Sequence, residues 1–198
     1  MNTFVLIHGA YRGGWSFARL RPLLEAKGHR TFAPSLPGAG EHAATLSGDL
    51  TLARYAECVA SFLELEDLKR VILVGHSQGG VVALAASELA HPRIAHIVLL
   101  DSPVPRHGER AIDMIPSALA NMTMPTFARE TLLPPRPVAA SDAISESDAA
   151  WINARTCFTP VGPSLDPLAL SAPGALALPR TYVFFAKTPN TYPCAHGR

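Results

Sequence analysis

The sequence predicts an α/β fold: a mostly parallel β-sheet flanked by helices, with an inserted helical cap. Short apolar runs at 4–7 (FVLI), 71–74 (VILV) and 94–100 (IAHIVLL) alternate with longer segments of helical spacing, which is the pattern of βαβ units. Residues 103–179 then lose that alternation and become rich in Pro, Ser, Ala and Met, before 181–185 (TYVFF) restores a strand. Hydrophobic residues make up 48% of the 198 and charged residues 17%, enough apolar material for a core.

Each element has its own signal. FVLI ends at His8-Gly9 and reads as a buried strand entering a loop. Residues 15–27 place Trp15, Leu20, Leu23 and Leu24 at helical spacing, with Pro22 required near the helix start and Gly28 as the stop. Residues 30–33 form a second short strand. From Thr51, the residues Leu52, Tyr55, Ala56, Val59, Phe62 and Leu63 recur at three- and four-residue steps and predict a helix closing near Leu68. VILV is a β-branched run without polar breaks, as expected of a parallel strand covered on both faces. Val81 to Leu89 is apolar and alanine-rich and reads as a buried helix. Within 103–179, segments 109–122 and 146–155 are candidate short helices. The expected organisation is a core of 1–102 and 180–198 with a cap at 103–179. Right-handed crossovers bring the C-terminal ends of all strands to one sheet edge, where open α/β sheets bind ligands.

Composition narrows the function classes. A net charge of +1 and a pI near 7.8 give no electrostatic reason to expect nucleic acid or an anionic membrane as partner. No stretch reaches the roughly 18 apolar residues of a membrane span. The eight histidines are scattered without metal-ligand spacing. Cys58, Cys157 and Cys194 are odd in number and widely spaced, so a disulfide framework is not expected. Met1-Asn2-Thr3 lacks a basic leader. A cytoplasmic protein is the resulting expectation; the oligomeric state is not legible.

Gly75-His76-Ser77-Gln78-Gly79 fits G-x-S-x-G, between an apolar strand and an apolar helix. A sharp strand-to-helix turn there lifts one hydroxyl off the sheet edge and aims the first helical N–H groups at the same point. An ordinary glycine-rich βαβ connection is the plainer reading, and the flanking strand and helix favour the turn. Ser77 is thus the candidate nucleophile. The backbone N–H of Ala10, in the loop after the first strand, and that of Gln78 are the candidate oxyanion donors.

HGAYRGGW at 8–15, PSLPGAGEH at 34–42, GHSQGG at 75–80 and LLDSPVP at 99–105 together resemble the α/β-hydrolase superfamily. More narrowly they are similar to its esterase and hydroxynitrile-lyase group, which includes plant methyl esterases. The match is good over 4–105 and looser from 151 to 185. The resemblance implies cofactor-free hydrolysis of a small ester, or cyanohydrin cleavage in the lyase branch. It also implies a carboxylate after a strand to orient a histidine base. Asp101 ends strand 94–100, whereas 186–189 (AKTP) has no carboxylate, so Asp101 is the candidate acid; capping the Ser102-Pro103 turn is its alternative role.

The histidine is harder to place. The resemblance implies a histidine loop about one βα unit beyond 181–185, and this sequence ends 13 residues after Phe185, with only His196 in that stretch. The expectation is therefore a fold whose last strand and helix are missing and whose C-terminal part is truncated, with His196 as a candidate base. His8 reads as structural and His76 as packed away from the pocket. His107 is a weak substrate-contact candidate, and Trp15, Phe127 and Met114 are candidate pocket walls. Three functions remain open: a serine esterase, a catalytically impaired ligand-binding remnant, and a hydroxynitrile lyase, whose chemistry wants a cation near the leaving nitrile, a role not assigned to Lys187.

Overall fold

The main sheet of the computed structural model has five parallel strands in the order β2-β1-β3-β4-β7, and β5 pairs antiparallel with β6 in a separate two-stranded sheet. In chain order the elements are β1 (Thr3–Ile7), α1 (Leu20–Glu25), β2 (Arg30–Phe32), α2 (Leu52–Leu65), β3 (Val71–His76), α3 (Gln78–Ala90), β4 (Ile94–Leu100), β5 (Leu132–Leu133), α4 (Glu146–Asn153), β6 (Thr159–Pro160), α5 (Gly162–Leu165), α6 (Pro173–Leu176) and β7 (Arg180–Val183). The structure describes residues 1–114 and 127–185. Among them no helix is long and apolar enough to cross a membrane.

Strand side chains alternate between two unequal layers. Val5 and Ile7 of β1, Val71 and Leu73 of β3, and Ile97 and Leu99 of β4 face the main core. There α2 contributes Leu52, Tyr55, Ala56, Val59 and Leu63, the three- and four-residue stripe read from the sequence. Helix α3 is buried nearly all round, which explains its uniformly apolar composition. The alternate residues Leu6 and Val74 meet Phe17 on the other face, where Ile72, Val98 and Leu100 are only half-buried. Leu168, Leu170 and Ala175 join the main core, so residues 168–175 pack with the sheet and its helices.

Four elements differ from their sequence expectations. The helix expected over 15–27 is divided into a 3-10 turn at Gly14–Phe17 and α1. Pro22 has no N–H to donate and fits only in a first helical turn, so α1 begins at Leu20. Helix α3 starts at Gln78, directly after the turn, and not at Val81. The last strand ends at Val183, short of Phe185. Its partner β4 ends at Leu100, and Asp101 turns away with φ 44° while donating its N–H to Val183 O at 3.0 Å. Of the expected helix over 109–122, a 3-10 turn forms at Ala111–Met114, Arg110 instead bridges antiparallel to Pro167, and residues 115–122 lie outside the described residues.

Candidate active site

Strand register assembles the site. Parallel pairing sets Ile7 beside Gly75, and His76 beside Leu100. Continued one or two residues past the strand ends, this register brings Gly9 and Asp101 to either side of Ser77. The bonds agree: Ser77 N–H donates to Leu100 O at 3.0 Å. A Cβ placed on Gly9 would lie 3.0 Å from Ser77 Cβ, so the loop after β1 is pressed against the serine.

Ser77 has φ 52° and ψ −126°. Such a conformation costs a non-glycine residue roughly 1–3 kcal/mol, and the surrounding structure must hold it. Two glycines make the turn possible. A Cβ at Gly75 would stand 2.3 Å from Gly79 O, and one at Gly79 would stand 2.3 Å from Ile7 O and 2.5 Å from His8 O. Left-handed φ values also occur at Tyr11 (64°) and Asp101 (44°). Asp67 (43°) and Arg70 (53°), before β3 at the opposite end of the sheet, share that conformation, so three of these five described residues lie in the loops that meet at this edge. Ser77 keeps part of its surface in solvent, and Gln78 turns its side chain to α5, Nε2 donating to Ser164 Oγ at 3.1 Å.

Ser102 and Tyr182 brace the turn from behind, a role the sequence did not reveal. Ser102 Oγ donates to Ser77 O at 2.8 Å and is also within reach of Pro103 O at 2.9 Å. Its N–H donates to Tyr182 Oη at 2.9 Å, and Tyr182 O–H donates back to Ser102 O at 2.9 Å. The Asp-Ser-Pro run after an apolar strand was the available signal; the partner on β7 was not legible. Asp101 is buried at 6% exposure between these two braces.

His8 is fixed in one tautomer. Leu36 N–H donates to Nε2 at 2.9 Å, so Nδ1 carries the proton and donates to Gly9 O at 2.8 Å. Burial holds its pKa down to about 4, against a small opposing effect from the Gly9 bond. The ring links the β1 loop to the 34–42 loop as a neutral brace, with both nitrogens engaged. A consequence for stability follows. The unfolded chain takes up this proton near pH 6.5, while the folded chain refuses it until about pH 4. His8 therefore costs nothing above pH 6.5 and removes about 3 kcal/mol of stability as pH falls from 6.5 to 4. Urea midpoints measured from pH 8 to 5 should fall, and His8→Asn should be less stable at pH 8 with a flatter slope below 6.5.

His76 packs, and one side of it meets open space. Its ring stacks on Phe185 at 6.0 Å, yet it also walls a cavity beside the 3-10 turn. Burial, then the nearby Arg12 charge, lowers its pKa, so it is neutral at pH 7. His107 Nδ1 accepts from Leu170 N–H at 3.2 Å, a bond to the segment before α6. Trp15 lines that same cavity, whereas the lining residues of this cavity and of a smaller one beside Gly9 and Gln78 include neither Phe127 nor Met114. Among the described residues no histidine is bonded to Ser77 Oγ, and no group of three or more His, Cys, Asp or Glu is placed to hold a metal. His196, Cys194 and Lys187 lie outside the described residues.

A family model described as the alpha/beta hydrolase family matches residues 4–197. The chain is an α/β-hydrolase. It is similar to a carbendazim-hydrolyzing esterase of Nocardioides sp. strain SG-4G, with 31% identity over 193 residues, 92% of this chain and 79% of that protein. Salicylic acid-binding protein 2 of Nicotiana tabacum is 40% identical over 103 residues, so the hydrolase spans 52% of itself and 40% of the tobacco protein in that match. Among solved structures, a methylesterase from Arabidopsis superposes with a TM-score of 0.73 at 25% identity, covering 92% of this hydrolase and 77% of the other chain.

Proposed function

We propose that this α/β-hydrolase cleaves a small carboxylic ester with Ser77 as nucleophile. One observation carries the reading: Ser77 sits at φ 52° and ψ −126° at the sheet edge, between β3 and α3, with the Gly9 backbone against its Cβ. Its hydroxyl adds to the ester carbonyl as the C–O bond forms. The N–H groups of Ala10 and Gln78 donate to the resulting oxyanion; such donors are worth about 100- to 1000-fold in rate each. Asp101 orients a histidine that takes the hydroxyl proton and then returns it to the departing alkoxide. Water next splits the acyl-enzyme by the same path in reverse, releasing the acid. Within this sequence His196 is the candidate for that histidine. The esterases among the relatives support the ester as substrate.

A second reading draws on the absence of a described histidine bonded to Ser77: a ligand-binding module with an impaired centre. Hydrolysis of p-nitrophenyl butyrate separates the two. The esterase reading predicts saturable turnover above the buffer rate, abolished by a fluorophosphonate. A rate that stays linear in ester and equals that of an unrelated protein supports the module.

A further inference from the structure

The loop after β1 carries glycine at 9, 13 and 14, and none of the three takes a left-handed φ. Each is kept small by a close neighbour: Ser77 Cβ, Trp15 Cδ1 and Ala33 O stand 3.0, 2.8 and 1.9 Å from where a Cβ would be. The left-handed residue of this loop is instead Tyr11, at φ 64°. A bulky L-residue free to move leaves that region by a factor of roughly ten, so bonds from elsewhere must hold it there.

Those bonds come from the segment after α4. Cys157 N–H donates to Tyr11 O at 3.2 Å, and Cys157 Sγ stands 3.8 Å from Arg12 O, within reach of a thiol donor. Burial, opposed by the Gly40 N–H and the Arg12 charge, pushes the thiol pKa up, so the sulfur keeps its proton at pH 7. The segment is itself fixed to the end of α4. Thr156 N–H donates to Ile152 O at 3.1 Å, and Thr156 Oγ1 donates to Asn153 O at 3.1 Å. Helix α4 docks in turn on the far end of the same loop, through the Trp15–Trp151 contact and the Arg19–Asp148 ion pair. One element therefore grips the chain at residues 11–12 and again at 15–19. Ala10 immediately precedes the gripped residue. A change in Tyr11 φ rotates the Ala10–Tyr11 peptide and displaces Ala10.

We propose that Cys157 is a positioning residue: it holds Tyr11 in the left-handed region and so keeps the Ala10 N–H aimed at the oxyanion. This rests on the proposed function, in which Ala10 is a donor. Cys157 touches no reacting atom; it acts through the loop, where a misplacement of about 1 Å is worth on the order of 100-fold in rate.

Cys157→Pro removes both donors. Its kcat for p-nitrophenyl butyrate should fall at least about tenfold while KM stays within about threefold, since an oxyanion donor acts on the transition state. Cys157→Ala removes only the thiol and should lower kcat about threefold, with Cys157→Ser restoring it. Tyr11→Gly, placed in the Cys157→Pro protein, should recover at least about threefold of the loss, because glycine occupies the left-handed region unaided. A merely structural role would make the two losses add. Hydrogen exchange reads the clamp with no ester present. Cys157→Pro should speed exchange several-fold over residues 8–17, where Gly14 N–H and Ser16 N–H are bonded, and leave α2 unchanged. Far-UV circular dichroism identifies a Cys157→Pro protein that fails to fold, in which case Cys157→Ala decides by both measurements. Unchanged kcat or unchanged exchange in the folded variant, or losses that add in the double variant, overturn the proposal. An unsubstituted protein without turnover sinks the esterase reading instead, and the exchange experiment still decides the clamp.

Discussion

Ser77→Ala is expected to lower ester turnover by about 1000-fold or more while leaving KM within a few-fold of its starting value. The substitution removes the attacking oxygen and keeps the backbone that holds the Ala10 and Gln78 N–H groups, so binding survives and bond making does not. Its effect on folding should be slight. Ser77 Oγ makes no hydrogen bond to a described residue, while the bonds that shape the turn run through Ser77 N–H and O. Thermal melts of both proteins therefore accompany the kinetics. Equal rates in two equally folded proteins would show that the hydroxyl has no role, and would favour the ligand-binding module.

Gly79→Ala is expected to be severely damaging, costing more than about 3 kcal/mol. Inserting a methylene into a packed site ordinarily costs about 1–3 kcal/mol, where side chains move aside. Here the obstacles are backbone: Ile7 O at 2.3 Å and His8 O at 2.5 Å. Relief requires α3 to move away from β1, which opens the main core at Val81 and Val82 and shifts Gln78 N–H from its position. A fall of several degrees or more in the thermal midpoint, or insoluble expression, is the expected result. Gly28→Ala serves as the comparison: a Cβ there meets nothing within 4 Å, and the only penalty is its φ of 79°. Equal losses from the two substitutions would show that the contact with β1 is not what limits position 79.

The core of the fold was readable because its signals are local. VILV, the stripe from Leu52 to Leu63 and the G-x-S-x-G turn each carry their own periodicity or steric demand, and parallel pairing then aligns Gly9, Ser77 and Asp101 without further information. Features that depend on distant partners were not readable. Tyr182 reaches Ser102 across 80 positions, and Trp151 reaches Trp15 only because α4 docks over the 3-10 turn. His76 was expected simply to pack; its place on a cavity wall depends on that same docking. The split of the 15–27 helix was half legible, since Pro22 demanded a nearby start, but the 3-10 turn owes its position to Gly14. A Cβ at Gly14 would lie 1.9 Å from Ala33 O, so close approach to the β2 loop, invisible in the local pattern, sets it.

The most direct measurement is the site of covalent capture. Incubation with a fluorophosphonate, tryptic digestion and fragmentation of the peptide spanning 71–93 distinguish Ser77 from Ser87, whose hydroxyl is buried and donates to Leu84 O at 2.7 Å. A phosphonyl group on Ser77 is the expected result. A folded protein that takes up no label, or takes it up only at another residue, contradicts an activated serine at the strand-to-helix turn.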